Sequence, residues 1–334
     1  MQMADALISP LVGGTMLAVS TGFVGYSART LSRNPDDAKV PLMGVMGAFV
    51  FSAQMINFTI PGTGSSGHIG GGMLLAALLG PVGGFLTMAA VLLIQALFFG
   101  DGGLLAYGCN LFNLGVFTCF FAYPLVWRRV MGKGIGKARI AWGSVLSVVI
   151  ALQLGSFAVV LETFASGRTD LPFGAFLLLM QPIHLAIGVV EGLITAAILT
   201  FVHQARPELL AAGDGKLPKA LPLRGVLVGI GIAALLLGGV FSLFASQRPD
   251  GLEWSITGIA GSPELEAGGT VHRFFAGLQA KTAFLPDYNI AGAEGATEKA
   301  GTSVSGVVGG ALTLLLAVLA GIAVKRFRKQ ARNA

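Results

Sequence analysis

Histidines are scarce in this sequence, four among 334 residues, and two of them sit in informative surroundings. His68 lies in Pro61-Gly62-Thr63-Gly64-Ser65-Ser66-Gly67-His68-Ile69-Gly70-Gly71-Gly72. Glycines permit tight turns and close backbone approach, so an imidazole in such a loop is a candidate ligand for a borderline metal ion. The alternative is an interfacial histidine hydrogen-bonded to backbone. His184 stands in a long apolar run, with Gly188, Glu191 and Thr195 following at helical spacing on the same face. An ionisable side chain at membrane depth is costly and marks a functional position; for His184 and Glu191, helix–helix hydrogen bonding or a coupling contact is favoured over metal binding. Gln54 and Asn57, and likewise Asn110 and Asn113, are polar pairs three residues apart in apolar stretches, suited to bridging helices or lining a polar pocket. Asp101, in Phe99-Gly100-Asp101-Gly102-Gly103, ends a span, while His203 and His272 read as surface residues.

The elements that must position these residues are membrane helices. The chain is 54% hydrophobic and only 11% charged, against roughly 25% charged residues in a soluble domain, and its mean hydropathy is +0.77. That excludes a water-soluble globular enzyme and a disordered chain alike. The 49 glycines suit closely packed transmembrane helices. The net charge of +6 then reports orientation rather than nucleic-acid binding. Cys109 and Cys119, ten residues apart, read as buried small side chains rather than a disulfide or zinc pair. The amino terminus shows no basic region and small-residue cleavage site of a signal peptide.

Windows long enough for a bilayer occur at about 7–28, 41–58, 104–127, 140–163, 174–202, 222–245 and 303–324, and the apolar stretch 73–99 is interrupted by Pro81, Gly83 and Gly84. Basic residues cluster at 29–39, 128–139, 206–224 and 325–332. The positive-inside rule puts all four clusters in the cytoplasm, which requires 73–99 to be split, at Pro81–Gly84, into about 68–80 and 83–99. The expected fold is therefore an all-α polytopic membrane protein of about nine transmembrane helices, amino terminus outside and carboxyl terminus cytoplasmic. The first half of the split pair is short for a full crossing. Prolines 207, 218 and 222 mark a linker, which divides the chain into 1–211, with seven spans, and 212–334, with two spans and an external loop at 246–302. No G-x-x-x-x-G-K-[ST] phosphate loop occurs; the nearest match, around Gly136-Lys137-Ala138, belongs to a basic loop. Neither a Ser-His-Asp arrangement nor HExxH is present, so the chain is expected not to be an enzyme.

At these residues the sequence resembles the CbiM/NikM family, the metal-binding S components of energy-coupling factor transporters for cobalt and nickel. The resemblance rests on Met3-Ala4-Asp5-Ala6-Leu7, Ala53-Gln54-Met55-Ile56-Asn57-Phe58, Ser66-Gly67-His68, Leu97-Phe98-Phe99-Gly100-Asp101-Gly102-Gly103, Asn110-Leu111-Phe112-Asn113-Leu114-Gly115 and the His184–Thr195 helix. Beyond about residue 203 the chain is similar to the two-span N component, through Pro249-Asp250-Gly251-Leu252-Glu253-Trp254 and Leu285-Pro286-Asp287-Tyr288. The whole is thus similar to a NikMN- or CbiMN-type fusion.

The resemblance implies capture of Ni2+ or Co2+ as transported substrate, for cobalamin synthesis or nickel enzymes, in a bacterial or archaeal plasma membrane. It also implies partners, a transmembrane T component and two ATPase chains, with ATP hydrolysis confined to the latter. The implied ligands are the amine of Met1, the nitrogen and side chain of residue 2, and His68, with the N unit acting near the metal entrance. Here the chain departs from the family's Met-His start, because Gln2 offers only a neutral amide. A stand-alone secondary transporter of transition metals is the alternative function, and an S component for an organic vitamin a weaker one.

Overall fold

The structure, a computed structural model, describes residues 2–33, 39–211, 223–263, 265, 268–290 and 296–333. Inside lipid a lone segment satisfies its own backbone polar groups only as a helix, and the chain is accordingly α-helical almost throughout. In order it forms α1 (Pro10–Arg33), α2 (Lys39–Gln54), a small hairpin of β1 (Phe58–Thr59) and β2 (Ser66–Gly67), then α3 (Gly72–Ile94). There follow α4 (Tyr107–Met131), π-helical over Phe112–Trp127, α5 (Lys137–Ser166), α6 (Phe173–Ala205), the short α7 (Pro207–Ala211), α8 (Leu223–Gly239), α9 (Gly251–Ala260), α10 (Thr270–Thr282) and α11 (Ala296–Asn333). Among the described residues seven helices are long and apolar enough to cross a membrane: α1, α3 with its extension to Phe99, α4, α5, α6, α8 and α11. The protein is a multi-pass membrane protein.

Two further pieces bring this close to the nine expected spans. α2 has 16 residues, about 24 Å of helix, and is short for a bilayer but buried along most of its length. The other is a reversal inside α3. Gly80 takes φ 77° and ψ 168°, a backbone open to glycine rather than to L side chains, and Pro81 then starts a new helical arm. The arms fold back on each other, since a Cβ on Gly84 would lie only 2.8 Å from the Ala76 backbone nitrogen, whereas eight residues of straight helix separate atoms by about 12 Å. The arm at 72–79 is too short to cross, so the split expected at Pro81–Gly84 falls at Gly80–Pro81 and yields one half-crossing and one full helix.

α2 occupies the middle, between α3, α8 and α11. Its Phe51 is fully buried, packs 5.3 Å from Phe99 and lies against Gly309 of α11. α5 and α6 run together, with Gly188 and Gly192 set against the backbone of Val149 and Val145; small residues are what allow membrane helices to approach this closely. The segment 246–302, expected from its polar composition as an external loop with turns, contains two amphipathic helices, α9 and α10. His272, expected on the surface, is instead buried in α10 because its Nε2 pairs with the Ile8 carbonyl at 2.8 Å. His203 is half-buried at the end of α6.

The reversal gives a test by glycine substitution in detergent. Gly84→Ala should lower stability by about 1–3 kcal/mol through overpacking, while Gly14→Ala, which meets open space on α1, should be neutral or slightly stabilising. Thermal unfolding of both variants checks this; equal behaviour would mean the two arms of α3 do not fold together.

Candidate metal site

Residues 58–72 build one wall of the site. β1 and β2 pair Phe58 with Gly67 and Thr59 with Ser66, and the turn is closed by Ile60 N–H to the Ser65 carbonyl at 3.0 Å. The hairpin delivers His68 immediately after β2. Its Nδ1 lies 3.0 Å from the Ile69 carbonyl, so the network assigns the proton to Nδ1 and leaves the Nε2 lone pair as a donor to a metal. A ring N–H given to a carbonyl while the other nitrogen ligates is the usual arrangement of metal-binding histidines. Burial pushes the His68 pKa below the ordinary histidine value, which favours the neutral, ligating ring.

Next to it runs the amino-terminal thread. Asn110 Nδ2 donates to the Met3 carbonyl at 3.1 Å, and the Met3 N–H donates to Asn110 Oδ1 at 2.7 Å. Gly103 N–H adds a bond to the same Met3 carbonyl at 2.9 Å, and Asp5 Oδ1 accepts from Ala106 N–H at 2.9 Å. Met3 is fully buried, and losing its partners would cost roughly 1–3 kcal/mol for each orphaned group. The thread is therefore fixed, and residue 2 with it. Gln2 Nε2 donates to Gln95 Oε1 at 2.9 Å, Gln95 Nε2 to Gln54 Oε1 at 2.8 Å, and Gln54 Nε2 to the Gly70 carbonyl at 2.9 Å. This amide chain runs from the amino-terminal thread to the loop that carries His68. Met1, the implied amine ligand, lies outside the described residues.

Beside the hairpin, and joined to the thread through Gln95, lies a cavity of about 300 Å³. His68, Gln54, Asn57, Gln95 and Asp101 line it from the first 211 residues, and Arg248, Asp250, Glu253, Asp287 and Tyr288 from the remainder. Four carboxylates against one guanidinium make this a cation-attracting chamber. Asp101 takes a hydrogen bond from the Tyr288 hydroxyl, and burial pushes its pKa up to about 6. Arg248–Trp254 closes the cavity over the hairpin, with Trp254 Nε1 donating to the Thr63 carbonyl at 2.9 Å.

The remaining residues singled out in the sequence support the chamber rather than line it. Asn110 clamps Met3, and Asn113 Nδ2 donates to Glu162 Oε2 at 2.8 Å. His184, Gly188, Glu191 and Thr195 share the buried face of α6. Glu191 Oε1 accepts from the Gly71 N–H at 2.9 Å and so holds the glycine run beneath His68. His184 Nδ1 lies 2.8 Å from the Met180 carbonyl. Sequence reasoning passed over Gln95, a lone amide in an apolar run whose rarity there was a usable signal. It also assigned no role to the acidic residues of 250–287, where nothing in the spacing reveals that they face His68.

This arrangement can be set beside known proteins. Residues 2–209 match the family model described as CbiM, cobalt uptake substrate-specific transmembrane region. The chain belongs to this family. Residues 224–326 match the PDGLE domain, whose name is spelled by Pro249-Asp250-Gly251-Leu252-Glu253. A provisionally named fused nickel transport protein NikMN from Archaeoglobus fulgidus is 31% identical over 99% of this chain and 100% of its own length. The fused nickel transport protein NikMN of Rhodobacter capsulatus is 30% identical over 76% of this chain and 75% of its own. The cobalt transport protein CbiM of Geobacter sulfurreducens is 32% identical over 66% and 65%. A crystal structure described as a transition metal transporter aligns with a TM-score of 0.55 and 28% identity, over 62% of this chain and 95% of that one. The chain is thus a CbiM-family membrane component of cobalt/nickel transport with a PDGLE domain joined to it.

The state of His68 can be read directly. Nitrogen-15 NMR of histidine-labelled protein should show a ring protonated at Nδ1 with bare Nε2, titrating below the ordinary midpoint of about 6.5. A midpoint above that value, or the opposite tautomer, would remove the basis for ligation.

Proposed function

We propose that this chain is the substrate-capturing membrane subunit of an ATP-driven energy-coupling factor importer of Ni2+ or Co2+. The observation that carries the reading is an acidic chamber lined by His68 and by Gln95, the residue to which Gln2 of the clamped amino-terminal thread is bonded. In this reading the amine of Met1, the backbone nitrogen of Gln2 and His68 supply nitrogen donors, a set suited to Ni(II) and Co(II). Gln54, Asn57, Asp101, Asn110, Asn113, His184 and Glu191 shape and hold the chamber. The amino terminus faces outward and the basic loops and carboxyl terminus face the cytoplasm, as the distribution of Lys and Arg favours. The chain divides near residue 212 into a capture unit and a two-span unit that covers the chamber.

Energy comes from elsewhere in this reading. The sequence carries no phosphate loop, so ATP hydrolysis belongs to two partner ATPases and its transmission to a transmembrane T component, with the lipid bilayer as the remaining partner. The metal released inside serves cobalamin synthesis or nickel enzymes.

Calorimetric titration with Ni2+ and Co2+ tests the site. His68→Ala should abolish high-affinity binding without unfolding the protein. Gln2→His should raise Ni2+ affinity tenfold or more, about 1.4 kcal/mol, because the new imidazole is tethered beside the other donors. Extending the chain ahead of Met1 should erase that gain by converting the amine to an amide. Equal affinities in all four forms would contradict an amino-terminal metal site.

A further inference from the structure

We propose that α10 is a lipid-facing anchor, lying in the membrane interface with Val271, Phe274, Phe275 and Leu278 immersed at the headgroup–acyl boundary on the chamber side of the bilayer.

The helix presents three different faces. At 3.6 residues per turn, Val271, Phe274, Phe275 and Leu278 fall within about 100° of arc, an apolar stripe of the width that a helix normally buries. Among the described residues nothing covers it: Phe274 is 66% exposed, Val271 and Leu278 are exposed as well, and Phe275 is half-buried. To one side of the stripe His272 and Gln279 turn into the protein. The remaining arc carries Arg273, Gly277, Ala280 and Lys281, all exposed. A lone exposed apolar side chain needs no explanation, whereas an aligned set of them marks an interaction surface.

Hydrogen bonds set the height of that surface. His272 Nε2 pairs with the carbonyl of Ile8, two residues before α1 begins. Gln279 Nε2 donates to the Ala96 carbonyl at 2.9 Å and to the Gly102 carbonyl at 2.8 Å, where the extension of α3 ends. The helix has 13 residues, about 20 Å, too short to cross a bilayer. It is laid across the ends of two spans and bonded to both, rather than raised above them. Leu11, in the first turn of α1, is 80% exposed, so the lipid-contacting surface of the spans already begins beside the Ile8 bond. Just past α10, the exposed Phe284 packs 5.6 Å from Phe98 and continues the apolar surface onto the end of α3.

The bilayer is therefore the medium continuous with the stripe. Lipid also fits the charges, because exposed Arg273 and Lys281 can reach headgroup phosphates while their stems lie along the apolar boundary. The anchor has a consequence for the chamber. Gln279 grips the carbonyl next to Asp101, so a helix held in the interface ties the rim of the chamber to the membrane surface.

The test uses the full chain in nanodiscs of phosphatidylcholine and phosphatidylglycerol. Cys109 and Cys119 are buried, so a nitroxide label goes to a single cysteine introduced at an exposed position of α10. Labels on Phe274→Cys and Leu278→Cys should show a ratio of oxygen to chromium oxalate collisions severalfold above that of labels on Arg273→Cys and Ala280→Cys. Equal ratios at all four positions would place the stripe in water and overturn the proposal. Labels at 274 and 278 that are immobilised and shielded from both relaxants would overturn it too, because protein would then cover the stripe. Phe274→Trp gives an independent reading: lipids brominated on the acyl chain should quench the fluorescence it adds over the parent, and absence of that extra quenching would likewise contradict insertion.

Discussion

The two-way bond between Asn110 and the Met3 backbone is the constraint on which the site depends. Here Asn110 presents a donor and an acceptor to the two polar groups of one buried residue. Either group would be expensive to leave unpaired in so apolar a setting. Satisfying both fixes the thread at residue 3, and Gln2 beside it is bonded to Gln95.

The rest of the architecture serves that placement. The reversal at Gly80–Pro81 returns the second arm of α3 along the first, so that Gln95 and Asp101 line the chamber. Glu191 reaches up from the buried face of α6 to hold Gly71, and the glycine run it anchors sets the height of His68. The second unit contributes in two ways, with α8 and α11 flanking the central helix α2 and the Arg248–Trp254 segment covering the hairpin. Buried amides and carboxylates are thus used twice, as internal partners that a membrane interior demands and as the polar lining that a hydrated cation needs.

Much of this was legible in the sequence because lipid narrows the choices. Apolar run length and the asymmetry of Lys and Arg anticipated the helices and required a break where Gly80 and Pro81 make one. The spacing of His184, Gly188, Glu191 and Thr195 anticipated a single buried face. What stayed hidden depends on contacts remote in sequence. His272 looked exposed until the Ile8 carbonyl, 264 residues away, proved to be its partner. Asp250 belongs to a motif readable as a helix cap, yet no local pattern announces that it faces His68. α9 and α10, of 10 and 13 residues, are too short to show as membrane spans and lie in a segment whose polar composition reads as loop.

The central claim is that the acidic chamber joined to the clamped Met3 thread takes the metal through His68. Anomalous X-ray scattering at the nickel edge from crystals of the full chain grown with Ni2+ tests it most directly. The account requires one strong peak inside the chamber at bonding distance from His68 Nε2. A peak at another site, or an empty chamber in crystals that otherwise bind nickel, would contradict it.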